Sequence, residues 1–350
     1  MSQEQEQEQP IEPILRTIMA EHGFDHFGWA PLTPALSMTH YELWLKRGFH
    51  GDMAYLERHL PIKKALSAHS AIVVAAFYKP AARAERWDAK AIDQLQHLNI
   101  ASYARIDDYH VWLTGQLNKA AHALKQRFRD EEFSVATDSK PILERDLAYR
   151  AGLGWVGKNS CVIDERKGSY FLIGEIVTSL RLPVAGVTAP DRCGRCRRCM
   201  DACPTQAIVE PRVVDARKCI SYLTIESKSV PAPELRKSIG SHFFGCDICQ
   251  DVCPWNQKVI SPTIDETPKD ESPTHELIGE LRWILDSSSK SLERALEHTP
   301  LSRARGFGLK RNAIVIAGNL RLRELKDEIS RYLTDPRLGE LASWALHEID

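Results

Sequence analysis

No apolar run in this chain exceeds the eight residues of "AIVVAAFY" (71–78), far short of the roughly 20 that a membrane helix needs. The N-terminus, "MSQEQEQEQP", lacks both the basic start and the apolar stretch of a secretory leader. Residues 1–10 are therefore expected to be a disordered tail on a cytoplasmic protein with no membrane partner. A strong net field is missing too: 46 Lys+Arg against 47 Asp+Glu leave a formal charge of −1, so no global attraction to a polyanion exists. Cysteine, by contrast, is plentiful. Nine in a cytoplasmic chain point to metal binding before disulfides.

The 350 residues suffice for two or three domains and a sizeable core. A hydrophobic fraction of 43% and a charged fraction of 27% are ordinary for a globular protein. Residues 11–180 alternate helical and strand-like patterns. "IEPILRTIMAEHG" has helical periodicity and a C-cap at Gly23. "AIVVAAFY", "FSVATD", "SCVID" and "SYFLIGEIVTS" suit strands, and "DDYHVWLTGQLNKAAHALKQRFRD" suits a long helix. Together they predict an α+β or α/β domain with helices packed on a sheet. A cysteine-rich block occupies 181–260, followed by a Pro/Ser/Thr/acid-rich linker at 261–275. Residues 276–350 read as five short helices, the pattern of a small all-α, HEAT-like repeat domain. Within residues 301–326 seven Lys/Arg face a single acid, a local charge of +6. It is either a solvated helix face or a surface for a polyanion.

The first cysteine run is Cys193-x2-Cys196-x2-Cys199-x3-Cys203-Pro204. In bacterial two-cluster ferredoxins such a run gives three thiolates to one 4Fe–4S cube and its fourth to the other. The second run, Cys246-x2-Cys249-x3-Cys253-Pro254, is one thiolate short, because Phe243 stands where the repeat needs cysteine. Cys219, in the intervening segment, supplies it. One site is then Cys193, Cys196, Cys199 and Cys253, and the other Cys203, Cys219, Cys246 and Cys249. Zinc also uses paired Cys-x2-Cys but does not explain a triple run closing on Cys-Pro. Cys161 is left over, as a buried structural thiol.

Two patterns act as decoys. "GLGWVGKN" (152–159) fits G-x-G-x-x-G and almost fits a P-loop. A helical pattern precedes it and a strand follows, the reverse of what phosphate binding needs. Its glycines still allow close backbone approach to some other large ligand. "DDYHVWLTG" approaches the D-x-H-x-x-G signature of a cobalt-ligating histidine, but Leu113 holds the glycine's place. His110 reads as an ordinary helix histidine.

The segments "GFHGDMAYLERH" (48–59), "YARIDDYH" (103–110), "DSKPILERDLAYRAGLGWVGKN" (138–159), "KCISYLTIE" (218–226) and "LKRNAIVIAGN" (309–319), with the cysteine layout, resemble the epoxyqueuosine reductases. The resemblance spans nearly the whole chain, departing at Ile106 and Asp107, where the family usually has glycine and a basic residue. It implies a cobalamin between the α/β and ferredoxin-like domains, without a protein histidine below the cobalt. It also implies reduction of epoxyqueuosine at the wobble position of tRNA to queuosine, the last step of queuosine biosynthesis. By matching position Asp138 is the proton donor, its pKa expected to rise by desolvation against the corrin. Lys63, Tyr103, Arg105, Asp138, Lys158, Asn159 and Glu226 are the implied cobalamin contacts. Glu144 and Asp146 read as structural or solvent-facing. Arg195, Arg197, Arg198, Arg303, Arg305, Lys310 and Arg311 are candidates for the phosphates of an anticodon stem-loop.

The partners so implied are tRNA and an external low-potential electron donor, with a monomer sufficing. Two other classes share parts of this pattern. A different cobalamin/iron–sulfur reductase, such as a reductive dehalogenase, would not need the basic helical C-terminus. A non-catalytic iron–sulfur electron carrier or RNA-binding protein would need no first 180 residues.

Overall fold

The structure, a computed structural model, describes residues 11–65, 69–78, 94–106, 108–138, 140–183, 188–257 and 274–350. The expected N-terminal tail and nearly all of the expected linker lie outside the described residues.

The first half folds as α1 (Ile11–Glu21), β1 (Phe27–Pro31), α2 (Met38–Lys46), α3 (Tyr55–Ala65), β2 (Ser70–Phe77), β3 (Asn99–Ile100), α4 (Tyr109–Arg127), β4 (Phe133–Ala136), α5 (Glu144–Arg150), β5 (Trp155–Val156), β6 (Val162–Ile163) and β7 (Phe171–Thr178). Its main sheet has the order β1-β2-β7-β4, and every neighbouring pair is antiparallel. Of the two classes expected, this sheet is therefore α+β rather than parallel α/β. Strand β2 is buried at every position, which is why its sequence runs apolar without alternation. One face packs Ile72, Val74 and Ile176 against α1 and α4, and the other packs Val73 and Phe171 against α5. Helix α1 closes as the sequence predicts, with Gly23 at φ 82 and its N–H bonded to Ala20 O.

The second half runs α6 (Arg198–Asp201), β8 (Ile208–Glu210), β9 (Val213–Val214), α7 (Ile220–Ile225), α8 (Pro233–Ile239), β10 (His242–Phe244), α9 (Ile248–Asp251) and α10 (Pro254–Gln257). Five helices end the chain: α11 (His275–Asp286), α12 (Ser289–Ala295), α13 (Arg305–Asn319), α14 (Lys326–Ser330) and α15 (Gly339–Ile349). These do not have a core to themselves. Ile220, Leu223, Phe243 and Phe244 share one hydrophobic cluster with Ile284, Leu309, Ile316 and Leu341, and Leu98 and Ile100 join it.

A polar clamp inside that core ties α13 to the cysteine-bearing segment. Asn312 Nδ2 donates to Thr224 O and Phe243 O, both at 2.8 Å. Arg311, fully buried, donates to Ser227 O at 2.5 Å and Ser229 O at 3.2 Å, and to Asn312 Oδ1 at 3.0 Å. Burial pushes its guanidinium down to about 10. This corrects the expectation that Arg311 binds phosphate, since its charge is spent on interior carbonyls. Arg311→Leu is expected to lower the unfolding free energy by about 2–3 kcal/mol, because two carbonyls lose a charged donor. Denaturant titration measures that. The salt dependence of RNA binding should stay unchanged; a phosphate contact would instead lower its slope by about one.

Candidate functional site

Cys193, Cys196, Cys199 and Cys253 line one cavity of about 250 Å³, with Lys158 and Trp255 in its wall. Four thiols around a space of that size are a donor set suited to an iron–sulfur cube. Lys158 Nζ donates to Gly194 O at 2.7 Å and Cys196 O at 2.8 Å. The lysine thus anchors the first cysteine loop, a correction to its expected place beside a corrin. Trp155 and Trp255 meet edge to face at 5.0 Å behind Cys253 and shield the cavity on that side.

The remaining four ligand candidates gather separately. Cys219 precedes α7, Cys246 follows the buried Phe244, Cys249 lies on α9 and Cys203 follows α6. Burial, reinforced by Cys219 and Cys203, pushes the Cys246 thiol up to about 12. Burial raises Cys219 and Cys249 as well, with neighbouring thiols adding to it. The shifts tie Cys246 to both Cys219 and Cys203, and Cys249 to Cys219 and Cys246, as near neighbours. Cys203 Sγ already accepts the Ala207 N–H at 3.3 Å. Cys161 belongs to neither group; burial pushes its thiol up to about 11.

The glycine loop resolves differently from expectation. Helix α5 precedes it and the β5–β6 hairpin contains and follows it. A Cβ on Gly154 would stand 2.1 Å from Ile163 O, and one on Gly157 would stand 2.5 Å from Ile163 Cδ1. These glycines let the hairpin close on itself rather than admit a ligand. Asn159, in the same loop, donates to Cys249 O at 3.1 Å and so braces the second cysteine group.

Asp138 follows β4 in a left-handed backbone conformation (φ 52), with its side chain 63% exposed. Its backbone N–H donates to Glu144 Oε1 at 2.5 Å, which fixes that turn. Asp138 Oδ2 accepts the Tyr109 hydroxyl at 3.1 Å and pairs with His110 Nε2 at 3.6 Å. Asp108 caps α4 through the His110 N–H at 3.0 Å and holds His110 Nδ1 at 2.8 Å. The Asp108 and Asp138 carboxylates raise the imidazole to about 9, while His110 holds Asp138 below the usual carboxylate range. This corrects the expected upward shift at Asp138: the neighbouring His110 cation outweighs desolvation. Burial, then the Asp138 charge, pushes Glu144 up to about 7. Burial keeps Tyr109 protonated.

Sequence reasoning took His110 as an ordinary helix histidine and Glu144 as structural or solvent-facing, and gave Asp108 and Tyr109 no role. The adjacent Asp-Tyr-His, 108–110, was the available signal. Asp146 does prove structural, accepting Ser37 N–H at 2.8 Å and Arg150 Nε at 2.7 Å.

Behind Asp138 runs a continuous path to the second cysteine group. Tyr103 lies edge to face on Tyr109, with centroids 6.2 Å apart. Its neighbour Ser102 donates its N–H at 2.7 Å to Asp247 Oδ2, and Asp247 adjoins Cys246 in the chain. On the opposite wall Glu226 pairs with Arg303 at 2.8 Å, beneath which lies the Tyr55 ring, 5.9 Å from the guanidinium. One expected corrin contact and one expected RNA contact thus hold each other. Lys63 Nζ donates to Ile142 O at 2.8 Å, and burial lowers its pKa. Arg105 is occupied by Leu98 O at 2.5 Å and Ile100 O at 3.3 Å, a structural role. Arg195, Arg197, Arg198 and Arg305 are exposed, and Lys310 donates to the Tyr332 hydroxyl at 2.8 Å.

Comparison with known proteins bears on this arrangement. Residues 192–256 match the family model described as "4Fe-4S double cluster binding domain". Residues 58–139 match the one described as "Epoxyqueuosine reductase QueG, DUF1730". Curated epoxyqueuosine reductases include that of Xanthomonas campestris, 34% identical over 87% of this chain and 86% of the relative. That of Escherichia coli is 35% identical over 93% of this chain and 86% of the relative. Among solved structures, the epoxyqueuosine reductase of Streptococcus thermophilus superposes with a TM-score of 0.80 at 28% identity, covering 97% of this chain and 90% of that one. A Bacillus subtilis epoxyqueuosine reductase, described with its catalytic aspartate loop swung out of the active site, gives 0.78 at 25% over 97% and 90%. No helix among the described residues is long and apolar enough to cross a membrane. With two cysteine groups, an exposed aspartate and a path between them, this chain belongs to the epoxyqueuosine reductase family of oxidoreductases.

Proposed function

We propose that this chain reduces the epoxide of epoxyqueuosine, at the wobble position of tRNA, to queuosine. Cys193, Cys196, Cys199 and Cys253, of which Cys196 is exposed, would hold one 4Fe–4S cluster and Cys203, Cys219, Cys246 and Cys249 a second, and such clusters would supply electrons one at a time. The observation that carries this reading is the run from Cys246 through Asp247, Ser102, Tyr103 and Tyr109 to Asp138. It joins the second cysteine group to an exposed acid.

A cobalamin fits beside Asp138 on this chain's own features. Asp138 is exposed, the Tyr55 and Tyr103 rings lie near it and near Glu226, and in the glycine loop Ser160 Oγ is a buried hydroxyl unpartnered among the described residues. Tyr103 and Glu226 remain the residues of the expected set placed near Asp138, while the Asn159 amide is spent on Cys249 O. When bound, such a group supplies two-electron reduction. The protein's own part is to deliver a proton by way of Asp138 Oδ2, in a turn fixed by Glu144 and with the carboxylate oriented by the Tyr109 hydroxyl.

The exposed Arg195, Arg197, Arg198 and Arg305 are offered for tRNA phosphates, Arg197 giving up Asp201 and Arg198 giving up Gln257, with Arg303 and Lys310 exchanging partners likewise. In this reading residues 11–180 form the corrin side, 181–260 the ferredoxin-like part and 276–350 a HEAT-like helical layer against the anticodon stem-loop. The protein works as a cytoplasmic monomer with a low-potential donor. Anaerobically purified protein should carry about eight irons and one cobalamin. A preparation rich in zinc, or one that takes up no cobalamin, overturns the assignment.

A further inference from the structure

Opening an epoxide takes two electrons and two protons, whether the oxygen leaves as water or stays as a hydroxyl. A carboxylic acid at Asp138 delivers only one. Tyr109, kept protonated by burial, already spends its hydroxyl hydrogen on Asp138 Oδ2. Glu144 faces the Asp138 backbone N–H, not its carboxylate. His110 is the remaining group within reach: Nε2 lies 3.6 Å from Asp138 Oδ2, and its ring is 42% exposed to solvent. Asp108 grips Nδ1 at 2.8 Å and so aims Nε2 at Asp138, and the ring stacks on Tyr109 with centroids 4.1 Å apart.

We propose that His110 is a positioning residue that supplies the protons of the reaction through Asp138. At rest the proton sits on His110 and Asp138 is ionised. His110 Nε2–H passes its proton to Asp138 Oδ2, which gives it to the departing oxygen, and the neutral imidazole regains one from solvent. A second pass along the same route delivers the second proton. The two electrons come from the reduction proposed above, so two protons and two electrons enter per turnover and the pair ends as it began. The charged and titratable groups around the pair are Asp108, Asp138 and Tyr109. Glu144, Arg145, Tyr103, Tyr55 and Arg303 act through Asp138, and His298 lies beside Asp108, whose N–H its carbonyl accepts at 3.0 Å. The inference rests on the reading of Asp138 as the acid.

Two measurements test it. In the full chain, a histidine NMR titration, with His110→Gln identifying the signal, should show a midpoint near the value of about 9. Asp108→Asn should move it by a unit or more towards the ordinary histidine range. In the loaded enzyme, His110→Gln should lower kcat about 10²-fold with KM unchanged, and should abolish the fall in wild-type kcat as pH rises past His110's midpoint. Asp108→Asn should shift that fall to lower pH. A His110→Gln enzyme that keeps the wild-type pH profile, at full or at uniformly reduced rate, overturns the proposal and leaves Asp138 standing. An Asp138→Asn enzyme with normal turnover overturns the reading beneath it instead.

Discussion

Asp138→Asn protein is expected to retain its full iron and cobalamin content and to turn over epoxyqueuosine-tRNA about 10²- to 10⁴-fold more slowly. The substitution is nearly isosteric, and asparagine tolerates the left-handed backbone that Asp138 adopts. Its amide oxygen can still accept the Tyr109 hydroxyl, and its N–H can still reach Glu144. What disappears is the carboxylate through which a proton reaches the departing oxygen. The lost anion has a second consequence. His110 keeps only Asp108 as an ionic partner, so its raised pKa should move down. Nucleoside mass analysis of the reacted tRNA measures the rate. Turnover within a few-fold of wild type would place the proton donor elsewhere.

Cys219→Ala is expected to halve the iron, from about eight to about four per chain, and to abolish turnover. The cavity lined by Cys193, Cys196, Cys199 and Cys253 contains no atom of Cys219 and should keep its cluster. The second site would be left with three thiolates and no donor from Phe243, which is fully buried. Because that site is the one next to Asp247 and Tyr103, its loss would cut the path to Asp138. Cys161→Ala, outside both groups, should keep all the iron. Retention of full iron in the Cys219 variant would refute the allotment of ligands.

The elements that the sequence made legible are those whose signal is local. Cysteine spacing, the buried run of β2, the cap at Gly23 and the five C-terminal helices each follow from residues a few positions apart. The site was legible only where a motif named a residue type. Asp138 and the cluster cysteines could be picked out, but not the partners that set their chemistry. The Asp108–His110–Asp138 row depends on β4 and α4 meeting 28 residues apart in sequence, and no periodicity reports that. Charge misled in the same way. Lys158 and Arg311 look like surface cations until their hydrogen bonds to distant carbonyls are seen. The glycine loop failed as a ligand cradle because its tight neighbour, Ile163, lies across a hairpin turn.

The Arg311–Asn312 clamp has a consequence for how the protein comes to exist. Both cysteine runs emerge from the ribosome well before α13 does, yet the segment bearing Cys219 and Cys246 is anchored through Thr224, Ser227 and Phe243 to that later helix. A chain halted after Gln257 would have every thiolate and would leave Ile220, Leu223, Phe243 and Phe244 without the apolar partners that bury them. The electron-carrying half is therefore not a detachable cassette. Its inner cofactor site depends on α13, and maturation of that site waits on that helix.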